Sequence, residues 1–163
     1  MEKFQLSGEL RADLGKKATK ETRANGLIPC VLYGGSDVKH FTVKEGDVRK
    51  LIYSPNVYVV ELTIAGKTVT AILKDLQVHP VKDNILHIDF LEISDKKPVV
   101  IEIPIKLEGL AEGVKLGGKL SQQMRKLRVK GIYTNFPDRL IVNVESLGIG
   151  KSIQVGALSY ENL

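Results

Sequence analysis

Short runs in which apolar and polar residues alternate recur along this chain, and they constrain its fold more than any other feature. In Glu2–Leu10 the apolar residues Phe4, Leu6 and Leu10 fall on even positions, which is the period of a half-buried β-strand. Trp is absent and aromatic residues make up only 6% of the chain, so a core must be built from Val, Ile and Leu. Val and Ile favour strands, and the sequence therefore predicts a mainly β protein.

The first half of the chain contains further strand patterns and two short helical segments. Strands are predicted at residues 27–33, 38–43, 57–64, 67–78 and 85–92. Residues 16–24 are polar and compatible with a helix that ends at Asn25–Gly26. Residues 44–53 predict a second helix, which stops before Ser54–Pro55.

A polar break at Asp95–Pro98 precedes a second group of strands, predicted at residues 99–107, 127–133 and 140–146. We predict a domain boundary there, with one domain at residues 1–94 and a second β domain at residues 95–163. Ile149, Ile153 and Val155 suggest a further short strand. Residues 158–163 end without a closing strand, which would fit a fragment or a trimmed tail.

The composition excludes several classes of protein. The single cysteine, Cys30, cannot form an internal disulfide, so it fits a reducing cytosol and a role as a small buried hydrophobe. The N-terminus has no apolar stretch of signal-peptide length, and no apolar run is long enough to span a membrane. A cytoplasmic protein without a membrane partner is therefore predicted.

The positive charge of the chain is unevenly distributed. The net charge of +5 allows a polyanionic partner but does not require one. Residues 1–94 carry 13 Lys and Arg against 12 Asp and Glu, yet they concentrate five cations in one segment: Arg11, Lys16, Lys17, Lys20 and Arg23. Spacings of three and four would place Lys16, Lys20 and Arg23 on one helix face. The pattern indicates a docking site, with an ordinary solvated helix face as the alternative.

The stretch of residues 86–90 has the most informative alternation. It turns Leu86, Ile88 and Phe90 towards a core and leaves His87 and Asp89 on the open face of a strand. The strand therefore predicts two polar side chains held side by side on a sheet surface.

The preceding strand extends this polar surface. Alternation would turn Leu76 and Val78 inward and leave Gln77 and His79 outward. The link between the two strands is short, so they should be antiparallel neighbours. We therefore predict one exposed polar cluster: Gln77, His79, His87 and Asp89.

Four interpretations of the polar cluster are open. A metal site lacks a Cys or Glu to complete three or four ligands, and hydrolytic chemistry lacks a nucleophile motif. Exposed polar residues without a task are the third. RNA binding suits the residue types best, because Lys and Arg hold phosphates while His, Gln, Asp and an aromatic such as Tyr33 bond base edges and 2′-hydroxyls.

Gly113–Lys119 has the spacing of a phosphate-binding loop, but Leu120 replaces the required Ser or Thr.

Two motifs in residues 2–93 are specific enough to suggest a family. The first comprises Arg11, Gly15-Lys16, Ala18, Arg23, Gly26, Ile28-Pro29 and Val31-Leu32-Tyr33-Gly34. The second comprises Gln77, His79-Pro80, Lys82 and His87-Ile88-Asp89-Phe90. With these motifs in order, the chain resembles the bacterial large-subunit ribosomal protein twenty-five family, which binds 5S rRNA and includes the general stress protein CTC. Residues 95–155 are similar to the second β domain of longer members, through Pro104, Gly109, Glu112-Gly113-Val114, Gly117-Gly118 and Phe136-Pro137.

The resemblance implies a closed six-stranded β-barrel with two short helices, followed by a second β-rich domain. It implies a structural, non-catalytic component of the 50S subunit that binds the loop E region of 5S rRNA. No cofactor or small-molecule substrate is expected, and the chain should be a monomer off the ribosome. RNA contacts carried over by position are Arg11, Lys16, Lys20, Arg23, Tyr33, Gln77, His79, His87 and Asp89. The alternative is a stress-response adaptor whose C-terminal domain dominates its protein interactions.

Overall fold

A computed structural model describes residues 1–95 and 97–160 of the chain. The chain forms two compact units, which we call unit 1 (Met1–Lys97) and unit 2 (Pro98–Leu163). The division falls a few residues after the boundary set from the sequence. The assignment of a separate function to each part stays a prediction.

Unit 1 is a closed β-barrel. It contains β1 (Glu2–Leu10), α1 (Lys16–Ala24), β2 (Leu27–Tyr33), β3 (Lys39–Lys44), α2 (Glu45–Tyr53), β4 (Tyr58–Ile64), β5 (Lys67–Val78) and β6 (Ile85–Glu92). The strand order is β1-β3-β2-β6-β5-β4, and β4 pairs with β1 to close the barrel. The pairs β1–β4 and β2–β6 are parallel, and the others are antiparallel. The predicted six-stranded barrel with two short helices is confirmed.

The barrel interior is filled by the apolar side of each alternating strand. The completely buried hydrophobic residues are Cys30, Leu32, Phe41, Val48, Val60, Leu62, Ala71, Ile88 and Phe90. The rings of Phe41 and Phe90 meet at the centre with their centroids 5.8 Å apart. Ile88 and Phe90 thus occupy the inward positions that the alternation of β6 predicted.

Strict alternation predicts the wrong burial for residues where a strand is irregular or extends beyond the end of its neighbour. Leu10 was expected inside but is 56% exposed, because β4 ends its pairing with β1 at Gly8. Val38 is also exposed, since β3 begins only at Lys39. Val78 was expected inside but is 41% exposed and lies at the last position of β5.

Two bulges in the β5–β6 ladder explain a further difference. The ladder pairs Gln77 with His87 and then Val78 with Ile85, so residue 86 has no partner on β5. As a result Ile85 joins the core, and Leu86, which was expected there, is only half-buried. Leu73 and Leu76 both pack against the core, although strict alternation forbids this, because another irregularity lies between Leu73 and Asp75.

Unit 2 is a small open sheet. It contains β7 (Val99–Glu108), α3 (Glu112–Lys115), β8 (Lys126–Gly131) and β9 (Leu140–Asn143), with single 3-10 turns at Tyr133–Asn135 and Val155–Ala157. The sheet order is β8-β7-β9. The first half of β7 pairs with β8 in antiparallel fashion, and the second half pairs with β9 in parallel. The predicted second β-rich domain is confirmed.

The short strand suggested by Ile149, Ile153 and Val155 is wrong. This segment is irregular, and Gly150 within it has a φ of +74°, which is incompatible with an extended strand. The three apolar side chains instead line an apolar cavity of about 570 Å³ in unit 2. The expectation of a missing closing strand concerns residues 158–163, of which residues 161–163 lie outside the described part.

Within the described part of the chain, none of the helices is both long and apolar enough to cross a membrane.

Candidate nucleic-acid interface

The outward sides of three neighbouring barrel strands, β2, β6 and β5, form a continuous polar surface. Gln77 on β5 lies directly opposite His87 on β6, and Asp75 lies opposite Asp89. On the other side of β6, β2 contributes Tyr33, whose ladder partner is Leu91, two residues beyond Asp89. We call this surface the polar face, and it comprises Tyr33, Asp75, Gln77, His87 and Asp89.

His87 and Asp89 are joined by a hydrogen bond across one step of β6. The distance from Nδ1 of His87 to Oδ1 of Asp89 is 2.7 Å, and the two side chains remain 24% and 31% exposed. The proton on Nδ1 points to the carboxylate, so Nε2 of a neutral ring is left as an acceptor. The bond therefore fixes the orientation of both groups and leaves free acceptor atoms at the surface.

Asp75 belongs to the polar face but was missed by the sequence interpretation. Its carboxylate faces Asp89 across the strands, and its Oδ1 accepts a hydrogen bond of 2.8 Å from the backbone N–H of Leu76. Like charges at opposed positions of two strands are destabilising. The sequence signal that could have identified Asp75 was its position two residues before Gln77, on the same side of the strand.

Tyr33 lies beside these two carboxylates. Its pKa is raised above the ordinary value, first by burial and then by the charges of Asp89 and Asp75. The phenol consequently stays protonated at neutral pH and can donate a hydrogen bond. The prediction that an aromatic side chain accompanies the polar cluster agrees with this placement.

Helix α1 is fixed against the strand that carries the polar face. Nε and Nη2 of Arg23 donate hydrogen bonds of 3.0 and 2.7 Å to the backbone carbonyl oxygen of Leu86. Leu86 is the bulged residue without a partner on β5, so its carbonyl is available. The guanidinium has five N–H groups, and the remaining ones are not used by this fork. Arg23 therefore brings the basic helix directly beside His87.

The other predicted cations surround the start of α1. Nη2 of Arg11 donates a hydrogen bond of 3.2 Å to Oγ1 of Thr19, which ties the loop after β1 to the helix. Lys16 and Lys20 are exposed on α1, one turn apart. No acidic residue lies in the first turn of the helix. The helix thus presents positive charge with little local neutralisation.

Cys30 lies inside the barrel beneath this region. Burial raises the pKa of its thiol well above the ordinary value; the charge of Asp89 raises it further, and the charge of Arg11 lowers it. The thiol is therefore neutral at physiological pH, and Cys30 is completely buried. The interpretation of Cys30 as a small buried hydrophobe agrees with this environment.

His79 lies beyond the positions of the β5–β6 ladder that define the polar face. It follows the end of β5, and its Nδ1 accepts hydrogen bonds of 3.2 Å from the backbone N–H groups of both Val81 and Lys82. The backbone N–H of His79 donates a hydrogen bond of 2.8 Å to the carbonyl oxygen of Asn84. His79 therefore orders the turn between β5 and β6, and only its Nε2 proton remains to meet a ligand.

The arrangement suits recognition by hydrogen bonding and charge. Among the residues that the structure describes, no group of three or more His, Cys, Asp or Glu could hold a metal ion. The polar face offers mainly acceptor atoms, from Asp75, Asp89 and the free nitrogen of His87. The adjoining helix offers cations, so the region combines two kinds of contact on one side of the barrel.

Comparisons with known proteins match both units. The model of the Ribosomal L25p family matches residues 6–90, and that of the Ribosomal protein TL5 C-terminal domain matches residues 98–162. The "Large ribosomal subunit protein bL25" of Azobacteroides pseudotrichonymphae genomovar. CFP2 is 58% identical over 164 residues, which cover 100% of this chain and 87% of that protein. The protein of the same name from Bacteroides fragilis is 60% identical over 147 residues, covering 90% and 75%. That from Porphyromonas gingivalis is 53% identical over 165 residues, covering 100% and 86%.

Proposed function

Because the chain belongs to the ribosomal L25p family and carries a TL5-type C-terminal domain, we propose that it binds the loop E region of 5S rRNA through α1 and the polar face. It is a protein of the large ribosomal subunit, located on the cytoplasmic ribosome, and it is not an enzyme. The proposal concerns which RNA it contacts and which side chains make the contact.

The cations of α1 supply the part of the binding that does not depend on sequence. Lys16, Lys20 and Arg23 are exposed, and Arg11 lies at the loop that precedes the helix. Lys and Arg side chains bind phosphate oxygens and thereby position a protein on a nucleic acid. In this proposal α1 follows the RNA backbone and sets the register of the contact.

The polar face supplies the part that discriminates between RNAs. Its carboxylates and the free nitrogen of His87 are acceptors, which match the amino group of guanine and the hydroxyl hydrogens of ribose. The wide, shallow minor groove of an RNA helix exposes these donors. A phosphate would be repelled by Asp75 and Asp89, so the polar face favours base edges and 2′-hydroxyls over the backbone.

The observation that carries the proposal is the fork from Arg23 to the carbonyl oxygen of Leu86. It holds the phosphate-binding helix against the strand that bears His87 and Asp89. A single RNA helix presents backbone and groove edges side by side, and this protein presents cations and acceptors in the same way. Both contacts can then form together without rearrangement of unit 1.

Lysine variants of the full chain test the role of α1. Lys16→Ala and Lys20→Ala should weaken binding to 5S rRNA and to an unrelated RNA of the same length. Each should also reduce the slope of log affinity against log salt concentration by ~0.7–0.9, as expected for one lost phosphate contact. Lys50→Ala on α2 is the matched control and should leave the slope unchanged. An unchanged slope in both α1 variants would contradict the assignment.

Variants of the polar face test the discrimination. His87→Ala and Asp89→Ala should each weaken 5S rRNA binding by about 1–3 kcal/mol, the range for a lost base-edge contact. Binding to the unrelated RNA should change little, and Glu9→Ala on β1 serves as a control for the loss of an exposed strand carboxylate. Equal losses of affinity for both RNAs would contradict the proposed role of Asp89 in discriminating between them.

A further inference from the structure

Unit 2 carries a second concentration of positive charge, which the proposed function does not use. Residues 125–130 have the sequence RKLRVK, with four cations in six positions. Within β8, Leu127 is buried and Val129 is half-buried, so the residues between them project from the opposite face. We call these exposed residues the β8 stripe: Lys126, Arg128 and Lys130.

The β8 stripe is held at regular intervals by a paired strand. Lys126, Arg128 and Lys130 lie opposite Pro104, Glu102 and Val100 of β7 in an unbroken antiparallel register. Residues two apart in such a strand are separated by roughly 6.8 Å. The three cations are therefore arranged in a straight row, unlike the charges of a flexible tail.

The charge of the β8 stripe is only partly neutralised. Nε of Arg128 lies 3.1 Å from Oε1 of Glu102, and both side chains are largely exposed. The residues opposite the two lysines, Pro104 and Val100, carry no charge. Among the described strands β8 pairs with β7 alone, so the stripe lies on an edge strand that solvent can reach.

We propose that the β8 stripe is a second RNA-binding surface, which contacts the sugar-phosphate backbone of ribosomal RNA without reading its sequence. A row of cations meets the regularly spaced charges of a nucleic-acid strand, and Lys and Arg are the side chains that bind phosphate. The three residues of the stripe carry no acceptor groups, and of the β7 residues opposite them only Glu102 is a carboxylate, in contrast to the polar face of unit 1. It therefore contributes affinity and salt dependence and gives no discrimination between sequences.

A triple variant of the full chain tests the proposal. It combines Lys126→Gln, Arg128→Gln and Lys130→Gln, and the probe is an RNA duplex of unrelated sequence. We expect the salt slope of binding to fall by roughly 2–3, because each lost phosphate contact removes ~0.7–0.9. The single variants Lys126→Gln and Lys130→Gln should each lower the slope by about a third of that amount. They check the result if the triple variant folds poorly.

The matched control removes the same charge elsewhere in unit 2. It combines Lys115→Gln, Lys119→Gln and Lys151→Gln, which all lie outside β8. A change in slope as large as that of the β8 variant would show that net charge alone matters, and it would overturn the proposal. A much smaller change in the control would support it.

Two other outcomes would also overturn the proposal. Lysines on an edge strand can serve to prevent pairing with other chains. If the triple variant self-associates in sedimentation while its RNA salt slope stays unchanged, the β8 stripe protects the edge. If polyglutamate binds in a stripe-dependent manner and the RNA duplex does not, the partner is an acidic protein segment. Failure of the polar face would appear instead as a lost preference for 5S rRNA, so the two proposals can fail separately.

Discussion

Unit 1 and unit 2 are both built from short strands, but only unit 1 closes its sheet. Every strand of the barrel has two neighbours, whereas β7 is the one strand of the described unit 2 sheet that has two. Phe41 and Phe90 are completely buried inside the barrel. Unit 2 instead retains an apolar cavity of about 570 Å³, with Leu120, Met124, Ile149 and Ile153 partly exposed around it.

The difference shows what closure does for a binding surface. In the barrel β6 is hydrogen-bonded to a neighbouring strand on each side, which fixes the positions of its outward side chains. The bulge at Leu86 is the exception, and Arg23 occupies the carbonyl that it frees. In unit 2 the cations of β8 lie on a strand with one partner, which suits a less selective contact. In our two proposals, the closed unit carries the surface that discriminates between RNAs, and the open unit carries the surface that does not.

Core truncation should produce the largest effect and test the comparison directly. Phe90→Ala should destabilise unit 1 by about 3–5 kcal/mol, because it leaves a cavity in a filled interior. Leu140→Ala, at a completely buried position in unit 2, should cost about 2–3 kcal/mol, since a smaller side chain is removed and the open sheet can relax around the site. Urea unfolding followed by hydrogen exchange of peptides from each unit measures both values. A larger loss for Leu140→Ala would reverse the comparison.

Two glycines with positive φ should show the next largest difference. An added Cβ at Gly34, where φ is +100°, would lie 2.6 Å from the Leu91 side chain and 3.0 Å from the carbonyl oxygen of Glu92. At Gly109, where φ is +89°, the nearest atoms belong to the flexible side chain of Glu145. We expect Gly34→Ala to cost about 3 kcal/mol and Gly109→Ala about 1 kcal/mol. Equal shifts in the denaturation midpoints of Gly34→Ala and Gly109→Ala would show that the end of the barrel accommodates an added Cβ as easily as the open sheet does.

Replacing the fork at Arg23 should have a moderate effect. Arg23→Lys keeps the charge but cannot donate two hydrogen bonds to the Leu86 carbonyl, so unit 1 should lose about 1 kcal/mol. Its preference for 5S rRNA over unrelated RNA should fall as well, because α1 is no longer fixed beside His87. Arg49→Lys on α2 is the control for thermal melting and for binding. A normal preference in Arg23→Lys would show that the barrel alone positions the helix.

The surface pair between Lys3 and Glu61 should have the smallest effect. The hydrogen bond from Lys3 and its charge lower the pKa of Glu61, and the two side chains span the pair β1–β4 that closes the barrel. A lowered folded-state pKa stabilises the fold above the unfolded value, and this contribution is lost as pH falls through the folded pKa. Lys3→Met should therefore raise the Glu61 pKa in a carboxyl-carbon NMR titration. An unmoved titration would show that the pair has no role at the closure.

Local periodicity predicted the individual strands and helices, and it placed Ile88, Phe90, His87 and Asp89 on the correct sides of β6. It could not predict the bulges, because these depend on how β5 and β6 meet in the closed barrel. For that reason it misplaced Val78 and Leu86 and overlooked Asp75. The order of strands around the barrel came only from the family resemblance, since alternation says which residues face inward but not which strands become neighbours.

In unit 2 the sequence pattern failed for a different reason. The strands β7, β8 and β9 lie where alternating residues predicted them, but the apolar residues after β9 indicated a strand that does not form. Ile149, Ile153 and Val155 lie among glycines and face a cavity. An apolar pattern shows that side chains seek a nonpolar environment, and it becomes a strand only where a partner backbone is available.

The parallel pairing of β1 with β4 and of β2 with β6 has a consequence for the timing of assembly. A nascent chain emerges from its N-terminus, and β2 has no second neighbour until residue 92 has been made. β1 pairs with β3 only at residues 9 and 10 and has β4 as its partner over residues 2–8, and distant partners form late when much chain must be ordered first. The barrel of unit 1 can therefore close only after nearly all of its length has emerged, so the polar face is complete only at that point.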